Sequence, residues 1–585
     1  MTPRTAHETS FESHDGTSLF YRAWPSLSAT TAGAVVLLHR GHEHSGRLSH
    51  LVHELNLPDF AFFAWDARGH GRSPGAQGHS PSVGASVRDL DGFIAHICEA
   101  HGIAAEDIVV LGESFGAVLA AAWAHDYAPN VRALVLAAPA FKIRLRVPFA
   151  RHGLRLLQAI RGDFVVNSPV RPKQLTRDPA RMASYKSDPL ITRAISSNVL
   201  LGLHDLSTRI VADAAAITVP TQLLISGRDS VVHEGPQHRF FERLGATVKE
   251  RHVFEDLRHD LLGERDREKA LGKARAFILA RFAEPLQRPS LLGADRRGFT
   301  RREAEALAKP LPPLSLRGLY WAATRFGLRV GGRLSRGIRI GHETGFDSGS
   351  TLDYVYRNRP QGLTPLGRAI DRAYLDSVGW KGIRQRKVHI EELLGSAIGR
   401  TRAAGAPVRL LDIAAGHGRY VLEAIEKSET RPDAVLLRDY SDINVEAGKR
   451  LIAQTGLADI AAFVEGDAFD ADSIAAVAPR PSIGIVSGLY ELFPENGPVR
   501  ASLSGLARAI PEGGWLVYTG QPWHPQLELI ARALTSHRQG RAWVMRRRTQ
   551  AEMDQLVAEA GFEKVEQRID DWGIFTVSLA RRLGA

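Results

Sequence analysis

The chain has 585 residues, of which 44% are hydrophobic and 24% charged, as in an ordinary folded globular protein. A single hydrophobic core does not grow to this length, so the sequence predicts at least two domains. Cys98 is the single cysteine, which excludes an intrachain disulfide framework and a cysteine-based metal cluster. That usage fits a reducing compartment, and we predict no metal site.

The net charge is +11, which has two explanations. One is an arginine-rich composition, and the other is affinity for an anionic membrane surface or anionic substrates. No signature of RNA or DNA binding accompanies the charge, so a nucleic-acid partner is not expected. Residues 1–15 lack the apolar segment of a signal peptide, and no apolar run reaches ~20 residues. We therefore expect a cytoplasmic protein, with peripheral contact to the inner membrane face as the membrane-binding alternative.

Strand-like and helical stretches alternate over the first half of the chain. Apolar runs typical of strands occupy 19–24, 34–38, 60–65, 108–111, 133–137, 222–226 and 247–254. Helical patterns occupy 83–100, 117–124, 236–244 and 265–282. This alternation implies parallel crossover units, and so an α/β domain.

The alternation stops at about 142–215, where prolines interrupt helical pieces and indicate a cap inserted over the strand ends. Basic residues alternate there with apolar ones, the basic set being Lys142, Arg144, Arg146, Arg151, Arg155 and Arg161. Such a cap either lies on a lipid surface and admits an acyl chain, or presents an ordinary solvated basic face. The sequence leaves both alternatives open.

A serine stands at the centre of the first domain. The run 108–111 leads directly into Gly112-Glu113-Ser114-Phe115-Gly116, and a helical pattern follows. Strand, sharp turn and helix together predict a nucleophile elbow, which presents a serine hydroxyl above the sheet. The flanking glycines allow the close backbone packing that such a turn needs.

An acid and a histidine follow Ser114 in the order that this arrangement requires. Asp229 comes just after a late strand, and His259 lies on the loop after the next one. The histidine would take the serine proton, while the aspartate fixes its tautomer. His252 and His233 are less suitable, because the first lies inside a strand pattern and the second directly follows the acid loop. We predict Ser114, Asp229 and His259 as the catalytic residues.

Three motifs carry a family resemblance: HRGHEHSGR at 39–47, DARGHGRS at 66–73 and GESFG at 112–116. On these motifs the first domain resembles the monoacylglycerol lipase and lysophospholipase group of α/β-hydrolases. The resemblance implies an α/β-hydrolase fold, an acyl-ester substrate such as a monoacylglycerol or lysophospholipid, and an oxyanion hole formed by the amides of Gly41 and Phe115. Two such donors typically lower the barrier by a few kcal/mol.

The first motif departs from the family pattern, which usually has glycines at the positions of Arg40 and His42. Both side chains are bulky beside the predicted oxyanion hole. Arg40 either binds an anionic headgroup or points to solvent, and the sequence does not decide between these. The departure also motivates an alternative function, in which the hydrolase-like half is a non-catalytic binding domain. A third hypothesis is that the chain is a membrane-surface scaffold without enzymatic activity.

Residues 285–351 are predicted to connect the domains. Prolines within 309–314 form a stiff spacer, and 316–340 combines arginines with aliphatic and aromatic residues on a helical period. This stretch is either interfacial or packed on the second domain. We place the hydrolase domain at 1–284, the connector at 285–351 and the second domain at 352–585.

The second domain has its own α/β pattern. Helical stretches at 367–377 and 381–398 precede strands near 408, at 434–437, 460–464 and 483–486, and a strand ending at 518; a helix at 549–560 and a strand at 574–579 close it. Asp412, at the end of the first strand, suits an amine-bearing ligand better than a pyrophosphate, which a carboxylate repels. Asp439, at the end of the second, is placed for ribose hydroxyls.

On the run 408–420 and these strand ends, residues 352–585 resemble class I S-adenosylmethionine-dependent methyltransferases, with a Rossmann-like fold. The resemblance implies S-adenosyl-L-methionine as cofactor and a set of cofactor-binding residues, namely Asp412, Ala414, Gly416, Gly418, Asp439, Asp467 and Ala468. Ala414 replaces the usual first loop glycine. Residues that follow later strands are either structural or in contact with the methyl acceptor: Tyr490, Glu491, Trp523 and His524. We predict a fusion of a serine ester hydrolase with a methyltransferase.

Overall fold

The computed structural model describes residues 4–145, 149–538 and 540–584. The chain divides into two units, Met1–Pro289 and Ser290–Ala585. Arg146, one of the basic cap residues considered above, lies outside the described residues. Within the described part of the chain, no helix is long and apolar enough to cross a membrane.

An eight-stranded sheet forms the centre of the first unit, in the order β1-β2-β4-β3-β5-β6-β9-β10. β1, β2 and β4 pair antiparallel, and the pairs from β4 to β10 are parallel. The strands are β1 (His7–Glu12), β2 (Ser18–Trp24), β3 (Gly33–Leu38), β4 (Phe60–Trp65), β5 (Ile108–Glu113), β6 (Ala133–Ala137), β7 (Val165–Asn167), β8 (Ala194–Ser196), β9 (Thr221–Ser226) and β10 (Lys249–Phe254).

Helices cover the sheet and build the cap. They are α1 (Ser49–Glu54), α2 (Val83–His101), α3 (Phe115–Asp126), α4 (Ala150–Arg161), α5 (Pro172–Leu175), α6 (Pro179–Ser187), α7 (Ser197–Ala212), α8 (Gly235–Arg243) and α9 (Glu268–Ala283). Every residue of β3, β5, β6 and β9 is buried, as expected of parallel strands covered on both faces. The cap inserted between β6 and β9 comprises α4 to α7 and the small β7–β8 sheet. The predicted α/β fold is confirmed.

The second unit contains a seven-stranded sheet in the order β13-β12-β11-β14-β15-β17-β16. Its strands are β11 (Arg409–Asp412), β12 (Ala434–Asp439), β13 (Ala461–Glu465), β14 (Ile483–Val486), β15 (Trp515–Gly520), β16 (Phe562–Ile569) and β17 (Thr576–Arg582). β17 pairs antiparallel with β15 and β16, and the other pairs are parallel. The strand order reverses at β11, and open sheets of this kind bind ligands at the carboxyl ends of the strands beside that point.

The helices of the second unit begin well before its sheet. They are α10 (Ala294–Arg297), α11 (Phe299–Ala308), α12 (Leu316–Leu334), α13 (Arg336–Thr344), α14 (Gly349–Arg357), α15 (Pro365–Leu375), α16 (Val378–Ala403), α17 (Arg419–Lys427), α18 (Asp442–Thr455), α19 (Ala471–Ala475), α20 (Asn496–Ala509), α21 (Leu527–Ala533) and α22 (Gln550–Glu559). From Ser290 onward, the residues predicted as a connector therefore belong to the second unit.

The reason for this difference lies in α12, which packs on α13, α15 and α21. Trp321 is buried, and its indole N–H donates to Glu528 of α21, which also pairs with Arg317 at 2.6 Å. Of the two alternatives predicted for residues 316–340, interfacial or packed on the second domain, the packed arrangement is therefore the one observed. The outward face of α12 still exposes Tyr320 and Phe326.

Candidate active sites

The turn between β5 and α3 places Ser114 above the sheet of the first unit. Ser114 adopts φ 55° and ψ −108°, a conformation that non-glycine residues rarely take and that is typical of functional turns. A Cβ at Gly112 would lie 2.6 Å from the Gly116 carbonyl oxygen, and one at Gly116 would lie 2.6 Å from that of Leu38. Both glycines are therefore required by close backbone contacts.

His259 joins Ser114 to Asp229 through two hydrogen bonds. Its Nε2 lies 2.8 Å from Ser114 Oγ, and its Nδ1 lies 2.6 Å from Asp229 Oδ2. Asp229 Oδ1 accepts from the backbone N–H groups of Val231 and Val232, each at 2.8 Å. Burial acts to raise the pKa of Asp229, but His259 and these N–H groups more than offset it, so the pKa is below its ordinary value. The structure thus brings the three predicted residues together.

The two competing histidines lie in other surroundings. His252 is part of β10, and its Nε2 lies 3.3 Å from Glu250 Oε2. The backbone N–H of His233 donates to the carbonyl of Lys142 at 2.8 Å, and its side chain is partly exposed. Of the three histidines considered from sequence, His259 is the one in contact with Ser114.

The two predicted oxyanion-hole residues face each other beside the serine. A Cβ at Gly41 would lie 3.8 Å from the Cβ of Phe115. Phe115 is the first residue of α3, and the first N–H groups of a helix have no acceptor within it. The helix dipole adds positive partial charge at this end. The geometry therefore suits stabilisation of an oxyanion.

The structure contradicts both alternatives that the sequence left open for Arg40, because its side chain neither points to solvent nor is accessible to a headgroup. The residue is 3% exposed, and its guanidinium contacts Glu43 at 2.6 Å, Asp260 at 3.1 Å and Glu113 at 3.6 Å. A buried guanidinium is stable only with such partners. Burial raises the pKa of Glu113 to about 7, against the opposing effect of Arg40.

His42 occupies the position next to Gly41 with φ 74°, in the left-handed region where a glycine is unstrained. Its carbonyl accepts from Thr192 of the cap at 3.2 Å. Burial lowers the pKa of the His42 imidazole to about 4, so the ring is neutral at pH 7. The substitution therefore adds a neutral aromatic ring beside the hole rather than a charge.

A cavity of about 350 Å³ lies under the cap. Ala140 is part of its wall and donates its backbone N–H to the Ser114 carbonyl at 3.1 Å, so the cavity adjoins the backbone of the elbow, while the side chains of Ser114 and His259 lie outside its lining. Most of the remaining wall is apolar, including Phe141, Leu145, Phe149, Leu154, Leu201 and Leu203. Such a space suits a hydrocarbon chain.

The second unit has a cleft of about 710 Å³ at the carboxyl ends of its parallel strands. Six of the seven predicted cofactor residues line it: Ala414, Gly416, Gly418, Asp439, Asp467 and Ala468. Gly416 and Gly418 have φ 57° and 74°, and a Cβ at Gly418 would lie 2.5 Å from Leu437 Cδ1. Side chains are therefore excluded from the loop at Gly418, and backbone lines the cleft there.

Asp412, the seventh, has a different position from the one predicted. Its carboxylate is fully buried, accepting from the Tyr420 hydroxyl at 2.5 Å and from the Ala414 N–H at 3.2 Å. Burial raises its pKa to about 7. Asp412 thus holds the glycine loop and α17 from beneath the cleft, because its side chain points into the core between them.

The other cleft residues fit S-adenosylmethionine. Asp439 accepts from Gly416 N–H at 2.9 Å, from Ser441 N–H at 3.0 Å and from Asn444 Nδ2 at 3.0 Å. A carboxylate has about four acceptor positions, which leaves about one for a ribose hydroxyl. The buried Ser487 Oγ, at the end of β14, has no hydrogen-bond partner among the described residues. An unpaired buried hydroxyl is costly, so a polar ligand is the expected partner.

The four candidate acceptor-contact residues separate into two groups. Tyr490 is buried in the core and donates to Ser502 at 2.9 Å, and Trp523 packs against another part of the core. Glu491 and His524 instead line a second cavity next to the cofactor cleft.

Arg386 also lines that second cavity, and sequence reasoning missed it. The available signal was an arginine on the apolar face of a predicted helix, three residues after Ile383 and four before Ile390. Both of these isoleucines are buried in the structure. A charge at such a position needs a partner, which the sequence alone did not identify.

Comparisons with known proteins match both halves. Residues 274–582 match the family described as "Putative methyltransferase", and residues 29–266 match the one described as "Serine aminopeptidase, S33". The chain is 52% identical over 579 residues to "Uncharacterized protein YnbC" of Escherichia coli (strain K12), covering 99% of both chains.

Two monoacylglycerol lipases resemble the first half. The chain is 27% identical over 289 residues to the monoacylglycerol lipase of Mycolicibacterium smegmatis, covering 48% of this chain and 99% of that one. The crystal structure of the Paleococcus ferrophilus monoacylglycerol lipase matches with 26% identity and a TM-score of 0.41, covering 45% of this chain and 99% of that one.

Proposed function

The chain belongs to the family described as "Putative methyltransferase", with an α/β-hydrolase domain ahead of it, and on that premise we propose that it is a bifunctional enzyme. Its first unit hydrolyses acyl esters with Ser114, His259 and Asp229. Its second unit is an S-adenosylmethionine-dependent methyltransferase.

The observation that carries the hydrolase proposal is the hydrogen-bonded series Ser114–His259–Asp229, at 2.8 and 2.6 Å. Ser114 Oγ bonds to the ester carbonyl carbon while its proton passes to His259 Nε2, and Asp229 stabilises the imidazolium. The N–H groups of Gly41 and Phe115 stabilise the oxyanion. His259 then gives its proton to the departing alcohol, and water releases the acid by the same steps.

The favoured substrate is a monoacylglycerol or a lysophospholipid. The apolar cavity under the cap supports a single acyl chain, and the similarity to a monoacylglycerol lipase supports the same class. We propose that the cap also contacts an anionic membrane surface, since α4 exposes Leu156 and Ile160 (65% and 73%) together with Arg155.

In the second unit, we propose that Asp439, Ser487 and the glycine loop bind the cofactor. When bound there, S-adenosylmethionine would supply an electrophilic methyl group. Asp439 would orient the ribose, and Asp412 would keep the loop in place from below. Alignment of the acceptor is then the main requirement, so a dedicated strong base is not needed.

Release of fatty acid from monoacylglycerol or lysophospholipid by the full chain tests the hydrolase half. The wild type should release fatty acid, and Ser114→Ala should not, because it lacks the nucleophile. The matched control is Ser10→Ala, at an exposed position of the edge strand β1, which should retain the activity. A folded wild type that releases no fatty acid would contradict this half of the proposal.

Thermal unfolding with S-adenosylhomocysteine tests the methyltransferase half. The ligand should raise the thermal midpoint of the wild type, because a ligand that binds only the folded state stabilises it. Asp439→Ala should abolish that shift. A wild type whose midpoint does not change would contradict this half.

A further inference from the structure

An apolar cavity of about 310 Å³ in the second unit is not explained by cofactor binding alone. We propose that this cavity binds the methyl acceptor, and that the acceptor is an uncharged apolar molecule carrying a hydroxyl group. The inference rests on the proposed methyltransferase function and names the substrate class of that site.

The position of the cavity supports this role. It shares wall residues with the cofactor cleft, namely Asp347, Leu352, Arg386, Gly488 and Leu492. A molecule in the cavity therefore lies against the same residues as a ligand in the cleft. Its volume is at the lower end of the range for small-molecule sites, ~300–1,000 Å³.

The walls of the cavity are mostly aliphatic and aromatic. Helices α12 to α16 contribute Leu328, Ile370, Trp380 and Ile383, and α21 and the loop before β17 contribute Ile530 and Phe575. A hydrocarbon body gains free energy by leaving water for such surroundings, whereas a highly polar acceptor would lose its hydration without replacement.

One end of the cavity has polar groups of both kinds. Arg386 is 1% exposed, and its Nη1 lies 3.1 Å from Glu491 Oε1. Arg386 Nε and Glu491 Oε2 are buried and have no hydrogen-bond partner among the described residues. Among the described residues, this pair thus offers one unsatisfied donor and one unsatisfied acceptor, and Gln521 Nε2 and Trp543 Nε1, of residues also in the cavity wall, are two further unsatisfied donors.

A hydroxyl satisfies both groups, because it donates one hydrogen bond and accepts another. A carboxylate would meet Glu491 with like charge, and an ammonium group would meet Arg386 with like charge. Either charge would also be removed from water in an apolar cavity, which is costly. The pair therefore favours a neutral hydroxyl over both charged alternatives.

Isothermal titration of the full chain, saturated with S-adenosylhomocysteine, tests this with decan-1-ol, decanoate and decylamine. We expect decan-1-ol to bind at least tenfold more tightly than the other two. Ile383→Trp, which fills the cavity, should weaken decan-1-ol binding at least tenfold. All titrations use the Leu203→Trp background, in which the cap cavity of the first unit is filled and cannot take up the three probes. Val565→Glu, at an exposed position in β16, should leave decan-1-ol binding within twofold.

The S-adenosylhomocysteine thermal shift separates this inference from the proposed function. If the wild type shows no shift, the methyltransferase proposal fails and this inference with it. If the shift is present but decanoate or decylamine binds as tightly as decan-1-ol, the inference alone is overturned. Unchanged decan-1-ol binding in Ile383→Trp also overturns it; Ile530→Phe replaces that variant if it does not fold.

Discussion

Arg40 Nη2 lies 3.1 Å from Asp260 Oδ2, and Asp260 directly follows the triad histidine His259. The same guanidinium contacts Glu113, which directly precedes Ser114, and Arg40 itself precedes Gly41. One buried cation therefore joins the segments that carry the nucleophile, the base and an oxyanion donor. We interpret Arg40 as a positioning residue, which also explains how the loop accommodates an arginine at a position where the family resemblance leads us to expect glycine.

Replacing Arg40 should destabilise the first unit and misalign the triad. Arg40→Met removes the cation that Glu43, Glu113 and Asp260 share, although Arg181 stays 3.0 Å from Asp260 and Arg47 stays 3.7 Å from Glu43. Removing one partner of a buried ion pair typically costs about 3–5 kcal/mol. We expect a corresponding drop in the free energy of unfolding, measured by urea titration of tryptophan fluorescence. Arg40→Lys, which keeps the charge, should recover part of the stability but show a lower kcat at similar KM.

The matched control is Arg228→Met, which breaks the exposed Arg228–Asp256 pair at 3.2 Å. Exposed pairs contribute about 0–1 kcal/mol, so this variant should behave like the wild type. Equal effects of Arg40→Met and Arg228→Met would contradict the positioning role.

Asp412 predicts a pH dependence of stability in the second unit. Its folded pKa, about 7, lies above the ordinary value of 3.8, so the folded state holds the proton more tightly than the unfolded chain. Stability therefore falls as pH rises from about 4 to about 7. Asp412→Asn removes this loss of stability. The thermal midpoint of Asp412→Asn minus that of the wild type should therefore increase across that pH range and stay constant above it. A difference independent of pH would contradict the assignment.

Alanine variants at Gly418 and Gly405 distinguish the effect of backbone strain from the effect of steric exclusion. Both have positive φ (74° and 71°), but a Cβ at Gly418 would lie 2.5 Å from Leu437, while Gly405 has open space around it. We expect Gly405→Ala to cost about 1–2 kcal/mol and retain the S-adenosylhomocysteine shift. Gly418→Ala should cost more and lose the shift. Retention of the full shift in Gly418→Ala would exclude the glycine loop from cofactor binding.

The proposed membrane contact depends on the exposed apolar face of α4. Wild-type chain should cosediment with anionic phosphatidylglycerol vesicles, less with phosphatidylcholine vesicles, and dissociate as salt rises, because screening weakens charge attraction. Ile160→Glu should reduce binding to the anionic vesicles, whereas Val565→Glu, at an exposed position in β16 of the other unit, should not. Equal binding of both variants would exclude α4 as the contact.

The sequence was most informative where function depends on local order. The elbow around Ser114 and the glycine loop at 416–418 are short motifs that can be recognised from neighbouring residues. The chain order of Ser114, Asp229 and His259 can likewise be recognised without knowing the distances between them. Both halves of the predicted fusion are confirmed by the family matches. The roles assigned to individual residues stay predictions until the assays above are done.

The features that sequence reasoning missed depend on contacts between distant positions. Arg40 meets Asp260 far along the chain, and no local pattern indicates such a pair. We expected the Asp412 carboxylate in the cleft, because acids at strand ends often line such clefts. The hydrogen bond from the Tyr420 hydroxyl instead holds this carboxylate beneath the cleft. The edge strand β1 is exposed at five of its six residues, and the edge strand β16 buries two of its eight, so the apolar signal of both strands is weak.

Labelling of the folded full chain with a fluorophosphonate, followed by intact mass and peptide analysis, tests most directly whether the first unit is a serine hydrolase. We expect one adduct, located on Ser114, that is absent in Ser114→Ala and forms much more slowly in His259→Ala. Folded wild-type protein that acquires no adduct, or acquires it equally in Ser114→Ala, would contradict the claim that this chain contains a working serine hydrolase.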